Sequence, residues 1–337
     1  MSGRPCRFFI EFTATGNTAV NTIEVRLQAI RFEAEGIQSF EFTTPDEREL
    51  PAFSAGAHVD IHLGDGLVRS YSLCNPSHER HRYVVAVNKD LRSRGGSRQM
   101  HERLRVGSKV LLDAPRNNFA LDEAAEHTIL VAGGIGITPL LSMIDRLEAL
   151  GRSWELFYCA RSRRTAAFRS TLEKLAGARP DRLHFNFDQE PGGALLDLKA
   201  VVANAPAMAH LYCCGPVAML TSFEEATSGV PREQVHVEYF SAKEAPAVVG
   251  GFTLQLARSG MTVAVEPGKT MLGALLAAGI KVPWSCKEGV CGACETMVLE
   301  GTPDHRDQVL STSERALNDR VMVCCSGSKS ETLVLDL

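Results

Sequence analysis

Nine residues near the C-terminal end carry three thiols, Cys286-Lys-Glu-Gly-Val-Cys291-Gly-Ala-Cys294, in the spacing C-x4-C-x2-C. Thiolates are soft ligands, and three in one short loop suit metal binding. The spacing is the local half of a [2Fe–2S] site, whose fourth thiolate must come from elsewhere. Cys324 is the candidate, lying after the apolar run Val321-Met322-Val323 and before Cys325 and Ser326. Gly289 and Gly292 suit a backbone that wraps two irons and aims its amides at sulfur. A structural zinc site would show pairs of C-x2-C, and reduced core cysteines need no glycines between them.

A second set of polar groups sits far upstream. Arg69-Ser70-Tyr71-Ser72 follows the turn Gly64-Asp65-Gly66. On a strand, alternation puts Arg69 and Tyr71 on one side and Ser70 and Ser72 on the other. About one hairpin later, Ser93-Arg94-Gly95-Gly96-Ser97 opens a helical segment running through Met100 and Leu104. Small residues at a helix start offer free amides and a positive dipole end to a phosphate, which Arg69 would also grip. Alone, the tetrapeptide reads as a surface strand with one arginine; the phosphate reading needs both stretches.

A third set belongs to a nucleotide. Thr128-Ile-Leu-Val131-Ala reads as a buried parallel strand running into Gly133-Gly134-Ile-Gly136-Ile-Thr138-Pro139. Thr138 suits a helix N-cap and Pro139 the first helical position, with Leu140, Leu141, Ile144, Leu147 and Leu150 at helical spacing. The glycines let the backbone approach a pyrophosphate at the positive end of that helix, though this is not the G-x-G-x-x-G dinucleotide fingerprint. A later strand, His210-Leu-Tyr-Cys213, ends in Cys214-Gly215-Pro216, at the strand end where α/β sheets bind ligands.

These motifs resemble, in order, three modules. The thiol loop, with Pro283-Trp284-Ser285 before it and Cys324 after it, resembles the plant-type ferredoxin domain. The Arg69 strand and the Arg-Gly-Gly-Ser seat resemble the flavin domain of the ferredoxin-NADP reductase superfamily, and most closely its phthalate dioxygenase reductase and vanillate demethylase reductase branch. The resemblance, which runs from about residue 25 to the end, implies FMN, not FAD. It puts Arg69 on the flavin phosphate, Tyr71 on the isoalloxazine and Ser72 near N5, with Gly95, Gly96 and Ser97 in the phosphate seat. It places Gly133, Gly134, Gly136 and Thr138 at the nicotinamide nucleotide and Cys214, Gly215 and Pro216 beside the nicotinamide, and brings Glu238 and Phe240 of Val235-His-Val-Glu238-Tyr239-Phe240 to the flavin–nicotinamide stack. Ser72, Cys214, Glu238 and Phe240 are then the catalytic candidates. His58, in Pro51-Ala-Phe53-Ser-Ala-Gly56-Ala-His58, is expected to be structural.

The elements that must position these groups form a multidomain chain. Residues 1–24 read as a tail. Short alternating stretches at Ile23–Leu27, Ser39–Phe42, His58–Leu63, Tyr83–Val87 and Lys109–Leu112 imply an antiparallel β-barrel flavin domain over 25–121. Strands at 128–132, 155–159, 183–187 and 210–213, with helices between, imply an α/β parallel-sheet nucleotide domain over 122–240. Residues 241–250 are a small-residue linker, expected to be an extended tether between independent domains. A hairpin around Ser259-Gly260 and a glycine-capped helix over Thr270–Gly279 imply a β-grasp ferredoxin domain over 251–337.

With 337 residues and a net charge of −4, the chain supports several cores and carries no basic field for nucleic acid or an anionic bilayer. No stretch is apolar enough to span a membrane, and Cys6, Cys74, Cys159, Cys213, Cys214 and Cys325 form no regular disulfide framework, which points to the cytoplasm. The expected function is that of an iron–sulfur flavoprotein reductase for a separate Rieske-type oxygenase or O-demethylase of aromatic hydrocarbon catabolism. A nicotinamide gives hydride to flavin, which passes single electrons to the cluster. Reduction of another acceptor, such as a diiron monooxygenase, or a plain redox-carrier module are the alternatives. Arg161-Ser162-Arg163-Arg164 would suit the 2′-phosphate of NADPH on charge alone, while similar runs in the resembled branch go with NADH, so NADH is expected and NADPH possible.

Overall fold

Periodicity of two governs the strands between Thr22 and Asp113, and the computed structural model, which describes residues 22–64, 66–90 and 95–337, builds them into one antiparallel sheet. The strands are β1 (Thr22–Ala34), β2 (Ile37–Thr43), β3 (His58–His62), β4 (Val68–Ser72), β5 (Tyr83–Asn88) and β6 (Lys109–Asp113), in the order β4-β3-β6-β1-β2-β5. A bridge between Leu73 and Val85 brings the two ends together, so the sheet closes as a barrel. Phe40, Phe42, Ile61, Tyr83 and Val85 alternate inward and are fully buried, each contributing roughly 1.5–3 kcal/mol from burial. The short helix α1 (Gly96–Glu102) covers one end. Ser93 and Arg94 and nearly all of the N-terminal tail lie outside the described residues.

The next unit is a five-stranded parallel sheet, order β11-β10-β7-β8-β9. Its elements are β7 (His127–Gly133), α2 (Ile137–Leu150), β8 (Ser153–Ala160), α3 (Arg169–Ala176), β9 (Leu183–Phe187), α4 (Leu198–Ala203), β10 (His210–Cys214), α5 (Val217–Ala226) and β11 (Val235–Glu238). Helix α2 starts before the expected cap. Gly136 is its N-cap after a 3-10 turn over Gly134–Gly136, and Thr138 sits inside the first turn with its hydroxyl donating to the Ile135 carbonyl at 2.9 Å. The hydroxyl therefore serves the turn that leads into the helix, not its end. Barrel and parallel sheet share one core, in which Ala55, Val84 and Ala86 pack with Leu140, Met143 and Tyr158. Gly56, at φ +93°, makes this possible, because a Cβ there would lie 2.0 Å from the Phe119 carbonyl oxygen and 2.8 Å from Met143.

The C-terminal unit has its own core and a mixed sheet, order β13-β12-β18-β14-β16. It comprises β12 (Phe252–Leu256), β13 (Thr262–Val265), α6 (Met271–Ala277), β14 (Glu295–Glu300), β15 (Pro303–Asp304), α7 (Thr312–Leu317), β16 (Arg320–Met322), β17 (Gly327–Ser328) and β18 (Thr332–Leu335). The central β12 and β18 run parallel and the outer pairs antiparallel, the β-grasp arrangement. Thr270 caps α6 by accepting the Gly273 amide at 3.1 Å. Residues 241–250 form neither helix nor strand, and they are tied to both neighbouring units. Lys243 pairs with Glu224 at 2.6 Å, Glu244 with Arg306 at 2.8 Å, and the Ala247 amide donates to the Cys325 carbonyl at 2.7 Å.

Candidate functional site

All three units meet at one cavity of about 370 Å3, a size suited to a small organic cofactor. The barrel contributes Arg69, Tyr71 and Ser72 from β4 and Ser97 from α1; the parallel sheet contributes Thr138, Glu238 and Phe240; the thiol loop contributes Cys286 and Cys291. These nine were all singled out by sequence. His58, Ser70, Asp90, Glu288 and Val290 also line the cavity and were not placed there by sequence.

The thiol loop behaves as a ligand cage. Cys286, Cys291, Cys294 and Cys324 are all buried. They meet in pairs, Cys286 with Cys291 and Cys294 with Cys324, and Cys324 also reaches Cys286. Contact with Cys286 and then burial push the Cys291 thiol up, and contact with Cys324 and then burial do the same to Cys294. Among the described residues no three such side chains enclose a single-ion site; two pairs of sulfurs fit two irons. Backbone amides point at the sulfurs, that of Glu288 reaching Cys286 Sγ at 3.3 Å. Gly289, at φ +69°, is indispensable to the wrap, since a Cβ there would lie 2.4 Å from Cys325 Sγ and 3.0 Å from Asp307 Cα. Cys325 packs beneath the loop and is no part of the four-thiol group. The donor set and the amide-lined wrap fit an iron–sulfur cluster.

On the barrel side, Arg69 lies against Gly96, where a Cβ would fall 2.6 Å from its Cγ. Gly95 adopts φ +102° at the start of α1. Gly96 makes room for the Arg69 side chain, and Ser97 faces the same cavity. Tyr71 packs partly on the barrel core, and Ser72 is buried. His58 is 6 % exposed, lines the cavity, and its Nε2 has no protein hydrogen-bond partner among the described residues. Burial keeps it neutral, lowering its pKa to about 4.

On the nucleotide side, the glycines divide their work. Gly133 and Gly136 let the loop seat on the Cys214-Gly215-Pro216 turn: a Cβ on Gly136 would lie 2.1 Å from the Cys214 carbonyl oxygen, and one on Gly133 2.6 Å from Pro216 Cδ. Only Gly134, at φ +56° with nothing near its Cβ position, faces open space. Cys214 is fully buried and does not line the cavity. It backs Glu238, its thiol donating to Oε2 at 3.7 Å. Phe240 remains 39 % exposed at the cavity mouth.

The comparisons with known proteins agree with this geometry. The 2Fe-2S iron-sulfur cluster binding domain family matches residues 254–328, and the oxidoreductase NAD-binding domain family matches 130–225. The phenoxybenzoate dioxygenase subunit beta of Ectopseudomonas oleovorans is 53 % identical over 94 % of this chain and 97 % of its own length. The vanillate O-demethylase oxidoreductase of Pseudomonas sp. strain HR199 is 44 % identical over 94 % of this chain and 100 % of its own. A solved phthalate dioxygenase reductase, described as a modular structure for electron transfer from pyridine nucleotides to [2Fe–2S], superposes with a TM-score of 0.71 at 38 % identity, covering 94 % of this chain and 98 % of that one.

The chain belongs to the phthalate dioxygenase reductase family. The family shares its module with larger proteins: an intact self-sufficient cytochrome P450 monooxygenase matches at a TM-score of 0.84 and 39 % identity, but this chain spans only 41 % of it. In this chain the two matched regions fall on the parallel sheet and the β-grasp unit, and the barrel lies before both.

Proposed function

We propose that this protein is the reductase component of an oxygenase system, carrying electrons from NADH through FMN to a [2Fe–2S] cluster and on to a separate Rieske-type oxygenase or O-demethylase. The observation that carries the reading is the single cavity into which Arg69, Glu238 and the ligand candidates Cys286 and Cys291 all face. The relatives named for dioxygenase and O-demethylase systems support the acceptor class. Bound there, the flavin would accept a hydride and release electrons singly, and the cluster would take one at a time.

The chain's own residues supply placement. Arg69, with the Gly95–Gly96 backbone and Ser97, would hold the phosphate, while Tyr71 would flank the ring and Ser72 would offer a hydroxyl at its edge. Thr138, Gly134 and the turn Cys214–Pro216 would frame the nicotinamide, with Gly133 and Gly136 holding that frame together, Phe240 shielding the mouth and Glu238 supplying a protonatable group. Cys286, Cys291, Cys294 and Cys324 would ligate the irons. The domain limits 25–121, 122–240 and 251–337, with the linker at 241–250, are part of this proposal, and the three larger sheets support them. No described helix is long and apolar enough to cross a membrane, and a cytoplasmic site of action is part of this proposal. The test is a spectrum of the purified protein with cofactor extraction, followed by reconstitution of turnover with candidate oxygenases; absence of FMN or iron would refute it.

A further inference from the structure

Between the strand that lines the flavin cavity and the thiol loop lies an ion pair, its carboxylate fully buried and its guanidinium half-buried, that no part of the proposed function uses. Asp60 sits on β3 directly opposite Ser70 of β4. Its side chain is fully buried, accepting from Ser70 Oγ at 2.5 Å and from Arg116 Nη2 at 2.6 Å. Ser70 Oγ is also 3.4 Å from Ser285 Oγ, next to Cys286, and two residues beyond Arg116 the Asn118 amide donates to the Cys291 carbonyl at 3.1 Å. Both members of the pair are electrostatic neighbours of the Cys291 sulfur.

The pair is not needed to fasten its own segment. His58 and Arg116 already exchange backbone hydrogen bonds, at 2.8 and 3.0 Å, which fix that stretch to β3 without any charge. Burying the Asp60 carboxylate and part of the Arg116 guanidinium costs desolvation that packed apolar groups would avoid, so the charges themselves call for a role. Arg116 keeps one buried nitrogen, Nε, without a protein hydrogen-bond partner among the described residues.

We propose that Asp60 and Arg116 are positioning residues that set the electrostatic balance at the flavin-facing edge of the cluster, and so how an electron divides between flavin and cluster. This rests on the reductase reading above. The step concerned moves one electron and breaks no bond: the reduced flavin loses it, a ferric iron gains it, and the cluster becomes more negative by one charge. The guanidinium favours that added charge and the carboxylate opposes it, so as a pair they hold the edge near neutral. Arginine does not lose its proton in a protein, so removing the carboxylate's charge leaves one uncompensated positive charge beside Cys291.

The test is a redox titration of the intact, cofactor-loaded protein, following the cluster by electron paramagnetic resonance and determining iron and flavin content in parallel. Asp60→Asn should raise the cluster potential, moving the electron-partition constant toward the cluster on the order of tenfold, about 59 mV for a one-electron couple. Asp60→Asn/Arg116→Gln should return it close to the wild-type value. If Asp60→Asn retains its iron and its potential stays put or falls, the proposal is overturned while the reductase reading stands. If Asp60→Asn loses its iron, the pair holds the cluster in place and does not set its balance, and the proposal is overturned. A wild-type protein lacking flavin or cluster would refute the reductase reading instead.

Discussion

Cys214 and Glu238 face each other across the paired ends of β10 and β11, the thiol donating to the carboxylate at 3.7 Å. Burial pushes the Glu238 carboxyl up to about 8 from 4.5, against the smaller opposing pull of the Cys214 contact. A half-buried acid that stays protonated while its unfolded counterpart ionises weakens the fold as pH rises from the unfolded value to the folded one. Wild-type stability should therefore decline between about pH 4.5 and 8 relative to Glu238→Gln, which cannot ionise. Melting temperatures of both proteins across pH 5–9 check this, and parallel curves would contradict it.

Cysteine-to-serine substitution should sort the thiols. Cys286, Cys291, Cys294 and Cys324 each converge on the proposed cluster, and each change should remove its visible absorption and iron. Cys325→Ser should retain both, because that thiol lies under the loop against Gly289. Gly289→Ala forces a Cβ onto Cys325 Sγ and the Asp307 backbone at φ +69°, a strain of about 1–3 kcal/mol that should lower iron occupancy.

On the proposed role of Arg69, Arg69→Ala would remove a charge-assisted contact worth roughly 1.5–3 kcal/mol, so flavin affinity should fall about 10- to 150-fold. Fluorescence titration of the apoprotein measures it. The extracted flavin should be FMN; a stoichiometric adenine-containing flavin would contradict the assignment.

The arginines after β8 are largely spoken for. Arg163 pairs with Glu190 at 3.3 Å, its amide donates to the same carboxylate at 2.7 Å, and its guanidinium lies over the Phe187 ring at 5.1 Å. Arg164 pairs with Glu35. A neutralised guanidinium is a poor seat for a 2′-phosphate, so NADH should give the higher kcat/KM. Glu190→Gln should improve NADPH relative to NADH by about two- to fivefold, the reach of an exposed ion pair worth 0.5–1 kcal/mol. An unchanged ratio would show that this arginine cluster does not select the donor.

What the sequence disclosed was local in the chain. The thiol spacing, the strand Arg69–Ser72 and the run Gly133–Thr138 each compress their chemistry into a few residues, and their order alone gave three modules. What it hid depends on residues meeting at long range. Asp60 and Arg116 lie 56 positions apart and Ser70 and Ser285 are 215 apart, so no window shows them together. Gly133 and Gly136 looked like phosphate glycines, yet their Cβ positions are filled by the turn after β10, a contact visible only once two parallel strands are aligned. His58 was expected to be structural; only the fold shows its Nε2 beside the cavity without a protein hydrogen-bond partner among the described residues.

Anaerobic addition of NADH to the purified protein tests the central claim most directly, with visible absorption following the flavin and electron paramagnetic resonance following the cluster. The flavin should bleach first, and a reduced [2Fe–2S] signal should then grow in the same molecule without any added carrier. A flavin that bleaches while the cluster stays oxidised, or a protein that responds to neither nucleotide, would contradict the proposed path from Glu238 and Arg69 to Cys291.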